Sequence, residues 1–388
     1  MNKLSLIVAS LVISQIAVAD EVKKNDWTLN GNIRTAFISD STDKKNSKEI
    51  HDLAVGGSIT ILTPKIKGFN VGATLYTSQP LFGQHSDQFL TENDGSSYSY
   101  LGEAYIAGTA FGKTSLILGR KVINTPFANS DDIGMTPNSF EVYLVQNKDV
   151  ENVTFTAGRV VKWAGIDAPT RGKFTDLTNG DGVSVMAVNY ADNDLGLQAQ
   201  AWYYHVDNFA KTQDVGISYL DSTYSLIIDD KTTVNFSGQF TQFQHINGDE
   251  KDGTVIGIQS TLSLDALTLG FAYNQADGDN APLNGFGGGP FYTSSDILTI
   301  QNSGQDSTAW RLSGGYNIDS KTSVGFGYAG FAPKNGSDLS EIDISASYSY
   351  NQDLTLSLYV ESWTTQQNSD IEKTDSNFEY SIFANYSF

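Results

Sequence analysis

The residues of this chain that could do chemistry are charged side chains set singly into runs of alternating character. Arg34 sits on the phase opposite Leu29, Ile33 and Phe37, and Arg311 on the phase opposite Trp310, Leu312, Tyr316 and Ile318. Side chains alternate across a strand, so charge and apolar residues occupy opposite faces. An unpaired Arg turned toward lipid would cost ~2–4 kcal/mol, so the charged face must be the one that meets water. The same logic places Asn30, Asn32, Asp52, Glu103, Glu141, Glu341, Asp343, Glu361 and Glu379 on the water side, with a polar stripe of Thr233, Asn235, Ser237, Gln239 and Thr241. Such a face suits a water-filled lumen, where charges select among ions and polar solutes. Near a strand end the same charge also reads as a solvated rim residue. Arg120, Lys121, Arg159 and Lys162 lie where runs meet long links. Their facing is ambiguous, because Leu116 and Leu118 share a phase with Arg120, and Phe155 and Ala157 with Arg159.

Catalytic sets are missing. His51, His85, His205 and His245 belong to no metal or nucleophile motif, neither H-E-x-x-H nor G-x-S-x-G occurs, and there is no cysteine. The reading is therefore of a protein that is not an enzyme, with no catalytic residue, resident metal or cofactor. A phospholipase would need a Ser and a His together on the lipid-facing rim. His205 and His245 lie near strand ends, where solvated rim histidines account for them as well. The glycines of 285–289 lack the following Lys-Ser/Thr of a phosphate loop, and read as a flexible link. The oxygen-rich stretch 274–280 has ligand types suited to Ca²⁺ but no EF-hand spacing.

The elements that must carry these charges are strands. Alternation bounded by turn residues predicts eighteen of them, at 27–38, 50–63, 68–78, 98–110, 113–121, 139–147, 152–162, 182–192, 195–206, 212–228, 232–245, 253–264, 266–275, 307–318, 321–331, 339–351, 353–365 and 375–388. Sixteen result if 212–228 and 232–245, interrupted by Asp221 and Ser222, do not form their own hairpin. Short links at 64–67, 111–112, 148–151, 229–231 and 319–320 alternate with long ones near 40–49, 79–97, 122–138, 163–181 and 276–306. An even number of strands puts every long link on one side, the pattern of a transmembrane antiparallel β-barrel with short periplasmic turns and long extracellular loops. The links at 122–138, 163–181 and 276–306 are long enough to fold into the lumen. The last strand ends on Phe388 with Tyr380, Ile382, Ala384 and Tyr386 on the same phase. A soluble protein would expose that edge to aggregation, whereas a barrel pairs it with the first strand near Trp27.

Residues 1–19 have Lys3, an apolar run at 4–16 and Ala17-Val18-Ala19 before Asp20, the layout of a cleaved export signal. Two segments follow, 1–19 as signal peptide and 20–388 as a single barrel domain in the outer membrane. Gly is abundant at 36, Pro scarce at 8 and aromatics reach 12%, as many strands with aromatic girdles require. A formal charge of −20 excludes nucleic acid as a partner and predicts acidic loops that attract cations. The partners this implies are outer-membrane lipids and lipopolysaccharide, the barrel-assembly machinery reading the Phe388 terminus, and small solutes and ions, for a monomer or a homotrimer. A non-conducting adhesin or structural barrel acting through its acidic loops is the competing class.

Residues 118–141 read LGRKVINTPFANSDDIGMTPNSFE. This segment resembles the OprD-type porin family in its Leu118-Gly119-Arg120-Lys121 stretch, Thr125-Pro126, the Asn/Asp-rich 129–132 and the Pro-Asn-x-Phe-Glu ending at 137–141. Ala157-Gly158-Arg159 and Lys162-Trp163 are similar to that family's next strand and loop. The resemblance implies an eighteen-stranded channel narrowed by inward loops, with an arginine/lysine ladder guiding small carboxylate-bearing solutes. It makes Arg120, Lys121, Asp131, Asp132 and Arg159 pore-lining or selectivity residues beside Arg34, Glu141, Arg311, Glu341, Asp343 and Glu361. One departure bears on charge: the family pattern has Asp-x-Arg before this Pro, whereas here Asp132-Ile133-Gly134 lacks the basic residue. With acids in the majority, the expectation becomes passage of cations or zwitterions such as amino acids.

Overall fold

The computed structural model describes residues 26–43, 49–83, 90–209, 213–246, 252–278, 282–367 and 370–388. The export signal, His85 and residues 279–281 lie outside them. The first strands are β1 (Thr28–Thr42), β2 (Ile50–Leu62), β3 (Phe69–Gly83), β4 (Tyr98–Phe111), β5 (Thr114–Lys121) and β6 (Ser139–Asn147). There follow β7 (Val153–Ala164), the two-residue β8 (Thr175–Asp176), β9 (Val183–Asp192), β10 (Leu197–Val206), β11 (Val215–Asp229) and β12 (Thr232–His245). The circuit finishes with β13 (Gly253–Leu264), β14 (Leu267–Asp277), β15 (Ser307–Asn317), β16 (Thr322–Ala332), β17 (Leu339–Ser349), β18 (Leu354–Gln367) and β19 (Asp370–Ser387). Each wall strand pairs antiparallel with its chain neighbours, β7 pairs with β9 past the small β8, and β1 pairs with both β2 and β19. The result is a closed antiparallel barrel of eighteen wall strands. No helix among the described residues is long and apolar enough to cross a membrane; strands do the crossing.

Closure falls where the C-terminus predicts it. Arg34 stands opposite Asn385 and Asn32 opposite Ser387 in the β1–β19 register. Gly31 and Phe388 exchange both backbone hydrogen bonds, at 2.9 and 3.0 Å. The Phe388 ring lies over Gly31, where a Cβ would come within 2.5 Å of it. Ile33, Ile59, Leu75, Ile258, Phe326 and Ile344 are exposed on the outer wall, the apolar band that lipid requires. Trp27, Phe111, Tyr350 and Phe388, also exposed, stand at the short-turn end as an aromatic girdle.

Several strands outrun their predicted ends: β1 continues to Thr42, β3 to Gly83, and β19 begins at Asp370. The extension of β1, Ser39 to Thr42, is polar on both phases, and that of β3 carries Leu81 and Phe82 on opposite phases, so neither shows the alternation that marks a lipid-facing strand. β3 even accepts Pro80, where the register with β2 shifts between Leu53 and Ala54. β11 and β12 pair along their length, so Asp221 interrupts the alternation without breaking the hairpin.

The lumen is half filled. The inner faces of β9 to β12 carry an apolar patch of Val185, Trp202, Tyr204, Ile217, Tyr219 and Phe243, and loops 122–138 and 282–306 pack on it. Phe127 stands edge-on to Tyr204, Tyr219, Phe243 and Phe291, with ring centroids 5.5–6.3 Å apart. The loops also join through their backbones: Phe286 N donates to Phe127 O at 2.9 Å and Asn129 N to Phe286 O at 3.0 Å. The 285–289 glycines serve this junction. Gly287 has φ +94°, and a Cβ there would lie 2.4 Å from Asn129 O. Contrary to the reading of a polar stripe facing water, Gln239 and Thr241 are buried, Gln239 beneath loop 282–306. Gln239 donates to Pro290 O and accepts from Tyr292 N. Asn274, far from offering ligands to Ca²⁺, accepts from Thr293 N and Oγ1. Loop 165–182 is held by Arg171, which donates to Thr91 O, and by Glu92, whose carboxylate accepts Arg171 N and Gly172 N.

Gly287→Ala should strain this junction by ~1–3 kcal/mol. The expected outcome is protease cleavage within 122–138 that wild-type protein resists, with strand content by circular dichroism unchanged.

Candidate functional site

The loops fill the β9–β12 side, and a cavity of about 340 Å³ remains against β1, β18 and β19. Arg34, Asp132, Asp296, Tyr359, Glu361 and Glu379 are among the residues that line it. Among the described residues, Arg34 is its one lining cation. Its Nη1 and Nη2 donate to the two Asp132 carboxylate oxygens at 2.7 and 3.1 Å, a bidentate geometry that fixes orientation as well as charge. Nη1 also donates to Gly134 O at 2.5 Å and Nε to Asn385 Oδ1 at 2.7 Å. The loop has Gly134 at the position where a basic residue was expected, and the wall guanidinium of Arg34 lies against that glycine instead.

Opposite charge gathers on the neighbouring wall. In strand register Asp343 faces Glu361, Glu361 faces Glu379 and Glu379 faces Asp40, so carboxylates occupy one continuous row across β17, β18, β19 and β1. Direct cross-strand partners have Cβ atoms about 4.5–5.5 Å apart, and like charges there repel. Arg311 caps one end, its Nη2 donating to Asp343 Oδ2 at 3.1 Å. It reaches across Gly327, where a Cβ would lie 2.6 Å from that oxygen. Glu341, fully buried, acts on the loop instead. Its carboxylate accepts Ile297 N at 2.9 Å and Leu298 N at 2.5 Å, which pins loop 282–306 to the wall.

The mouth cations are matched by acids and do not line the cavity. Arg120 pairs with Glu141 at 3.4 Å and stacks over Phe174, 4.3 Å from the ring centre. Lys121 lies 3.8 Å from Glu103 and over Tyr105. Lys162 pairs with Asp176 at 3.4 Å, and Arg159 with Asp207. The register shift beside Glu141 adds Val161 to β7, so the alternation of β6 itself runs unbroken through Glu141. Counting back from Leu144 puts Glu141 with exposed Tyr143, at the outer end of β6 rather than at the narrowing.

Asp131 sits where loops 122–138, 165–182 and 282–306 meet. Its Oδ2 accepts Gly288 N at 3.1 Å, and its carboxyl shares a hydrogen bond with that of Asp167. Burial first, then the Asp167 charge, pushes the Asp131 carboxyl up to about 7. Asp167 in turn accepts from Asn138 Nδ2 at 2.7 Å.

Of the histidines, His205 Nε2 is 3.0 Å from Asp207 Oδ1, and His205, Asp207 and Asp214 present ligand atoms within 4.8 Å of one another. Asp207 is already paired with Arg159, and Asp214 accepts Asn208 N. Ser184, across from His205 in register, accepts from Arg159 Nη1.

Sequence reasoning left Asp296 out altogether and named Glu379 without ranking it. Glu379 was available from its strand phase. Asp296 was not, because a loop residue reveals its target only when the loop is folded. Asp221 likewise serves the filled side, accepting from the Tyr219 and Tyr292 hydroxyls at 2.8 and 3.2 Å.

Residues 72–326 match the sequence model described as outer membrane porin, OprD family, which is more than half of the chain. No curated protein matches the chain. Among solved structures, Pseudomonas aeruginosa OccK9 (OpdG) superposes with a TM-score of 0.78 at 14% identity, covering 94% of this chain and 98% of that one. Acinetobacter baumannii OccAB3 gives 0.76 at 14% identity, covering 94% of this chain and 100% of the other. Pseudomonas aeruginosa OpdK, solved with vanillate, gives 0.76 at 14% identity over 93% and 98%. At this identity the structures share the fold, and the sequence match supplies the family. The chain belongs to the OprD family of outer membrane porins.

Proposed function

We propose that this protein is a water-filled channel for passive diffusion of small hydrophilic solutes, favouring cations and zwitterions such as amino acids over simple anions. The observation that carries the reading is the cavity beside Arg34, where Asp132, Asp296, Glu361 and Glu379 face one guanidinium. Carboxylates along one wall lower the energy of a cation in a narrow passage, and the guanidinium gives a solute carboxylate one place to turn. Arg34, Asp132, Asp343, Glu361 and Arg311 are then the selectivity residues, and Glu341 and Asp131 hold the loops that shape the passage. Arg120, Lys121, Glu141, Arg159 and Lys162 act at the mouth, where paired charges guide entry. Transport of other small carboxylate-bearing or cationic nutrients follows from the same charges.

The chain reaches its site by cleavage after Ala19, and the barrel-assembly machinery reads the strand that ends on Phe388. It sits among outer-membrane lipids and lipopolysaccharide as a monomer or homotrimer. No catalytic group takes part.

Purified protein in planar bilayers should show discrete conductance steps; a silent preparation with intact barrel structure would contradict the channel reading. Arg34→Gln removes the bidentate anchor of the 132–134 turn and should raise single-channel conductance and its noise. An unchanged trace would show that the turn does not bound the passage. The Asp131 junction adds a pH dependence. The Asp131 carboxyl is raised in the folded loops, so the protonated form is the one they favour, and the junction is tightest below the unfolded carboxylate range. That contribution is lost as pH rises through about 7. Conductance should therefore rise between acidic and mildly alkaline pH, and Asp131→Asn should flatten the profile.

A further inference from the structure

The cavity beside Arg34 holds carboxylates that the protein itself leaves unanswered. Asp296, Glu361 and Glu379 line it. Glu361 and Glu379 are direct cross-strand partners, and each is more than nine-tenths buried. Among the described residues, no hydrogen-bond donor meets the carboxylate of Asp296 or of Glu379, and Glu361 Oε2 is buried without a partner. The two inward arginines of this wall are committed elsewhere. Arg311 Nη2 donates to Asp343, which does not line the cavity. Arg34 uses four of its five N–H groups: Nε on Asn385, Nη1 on Asp132 and Gly134, and Nη2 on Asp132. Buried anions without partners are costly, and an entering cation relieves that cost.

The lining also restricts the kind of cation. Among the described residues, these three carboxylates do not form a group whose ligand atoms all lie within 4.8 Å of one another, so one metal ion does not reach them together. Ile38, Ile297 and Phe383 share the lining, with the Tyr359 ring edge-on to Phe383 at 6.0 Å. We propose that the cavity binds an aliphatic diamine, with one ammonium at the Glu361–Glu379 pair, the other at Asp296, and the methylenes against the apolar lining. Two positive ends answer anions that the wall and the loop supply separately. The chain between them buries its methylenes, and the aromatic rings favour an ammonium nearby. A carboxylate on the solute would find one Arg34 N–H left to hold it and Asp132 to repel it. An amino acid with the same two ammonium groups is therefore held less tightly than the diamine. The inference rests on the cation-favouring reading of the channel and narrows it at this cavity, but it does not need conduction. Calorimetry in detergent reads binding in protein that conducts nothing, and bilayer recording in KCl alone reads conduction in protein that binds no amine.

The test is calorimetric titration of cadaverine, the five-carbon diamine, into the full-length mature protein in detergent at neutral pH and constant ionic strength. Lysine, which is cadaverine with a carboxylate, and pentylamine, which lacks the second ammonium, are titrated beside it. Wild type should bind cadaverine saturably and the other two about tenfold more weakly, which corresponds to ~1.4 kcal/mol. Glu361→Gln and Glu379→Gln should each weaken cadaverine binding by about tenfold or more. Asp230→Asn, at an exposed acid of the short 229–231 turn, should leave it unchanged. Heat-modifiable gel migration checks folding, and Asp296→Asn, a loop change that leaves every strand intact, serves if either wall variant fails to fold. Absence of saturable binding to wild type overturns the proposal. So does lysine or pentylamine binding as tightly as cadaverine, or binding that survives the cavity variants. Loss of binding in Asp230→Asn overturns it too, since general attraction to an acidic chain would then account for the amine.

Discussion

A strand edge cannot lie unpaired in lipid, and the rest of this molecule depends on how that constraint is met. Within hydrocarbon no water is available to the backbone, so each N–H and C=O must find a partner inside the protein. The eighteen wall strands meet the demand only because β19 returns to β1, with Gly31 and Phe388 exchanging both backbone hydrogen bonds at the last pair. Closure fixes strand number, and strand number fixes the width of the lumen. A barrel this wide would leave an open aqueous pore if nothing entered it.

What enters is loop, and it seats its apolar residues on one side while Asp132, Gly134, Ile297 and Leu298 reach across to β1 and β17. The inner faces of β9 to β12 carry Tyr204, Tyr219 and Phe243 where a porous wall would carry polar groups, and Phe127 of the first inward loop seats among them. The second loop docks on the first through backbone hydrogen bonds that glycine alone can approach. The hydrophobic effect thus places the loop tips, and their placement decides which wall stays wet. That wall is β17 to β19 and β1, whose inward residues are carboxylates in cross-strand register with Arg34 and Arg311 as the cations among them. On the proposed function, selectivity in this barrel comes from the wall that packing leaves uncovered.

The parts legible in the sequence are those whose cause is local. Lipid imposes period two, so the strands, the short-turn and long-loop rhythm and the inward phase of Arg34, Arg311, Asp343 and Glu361 could all be read from alternation. Phe388 marked the closing strand for the same reason. The inward phase was misleading where a loop, not water, covers it: Gln239 reads as channel lining and is packed under loop 282–306. Glu141 was misplaced because the residues after it, Val142, Tyr143, Leu144 and Val145, are apolar on both phases and do not mark which face meets lipid. The pairing of Arg34 with Asp132, 98 positions apart, and the arrival of Asp296 beside Glu361 depend on loop docking, a tertiary event without a periodic signature.

The central claim is that the uncovered carboxylate wall, and not the paired basic residues of the mouth, sets the charge preference of the passage. The direct measurement is the reversal potential of single channels in a KCl gradient, compared between wild type and Glu361→Gln/Glu379→Gln. Wild type should reverse on the cation-selective side, and the double variant should move toward zero. A wild-type potential on the anion-selective side, or one that the double variant leaves unmoved, would contradict the account.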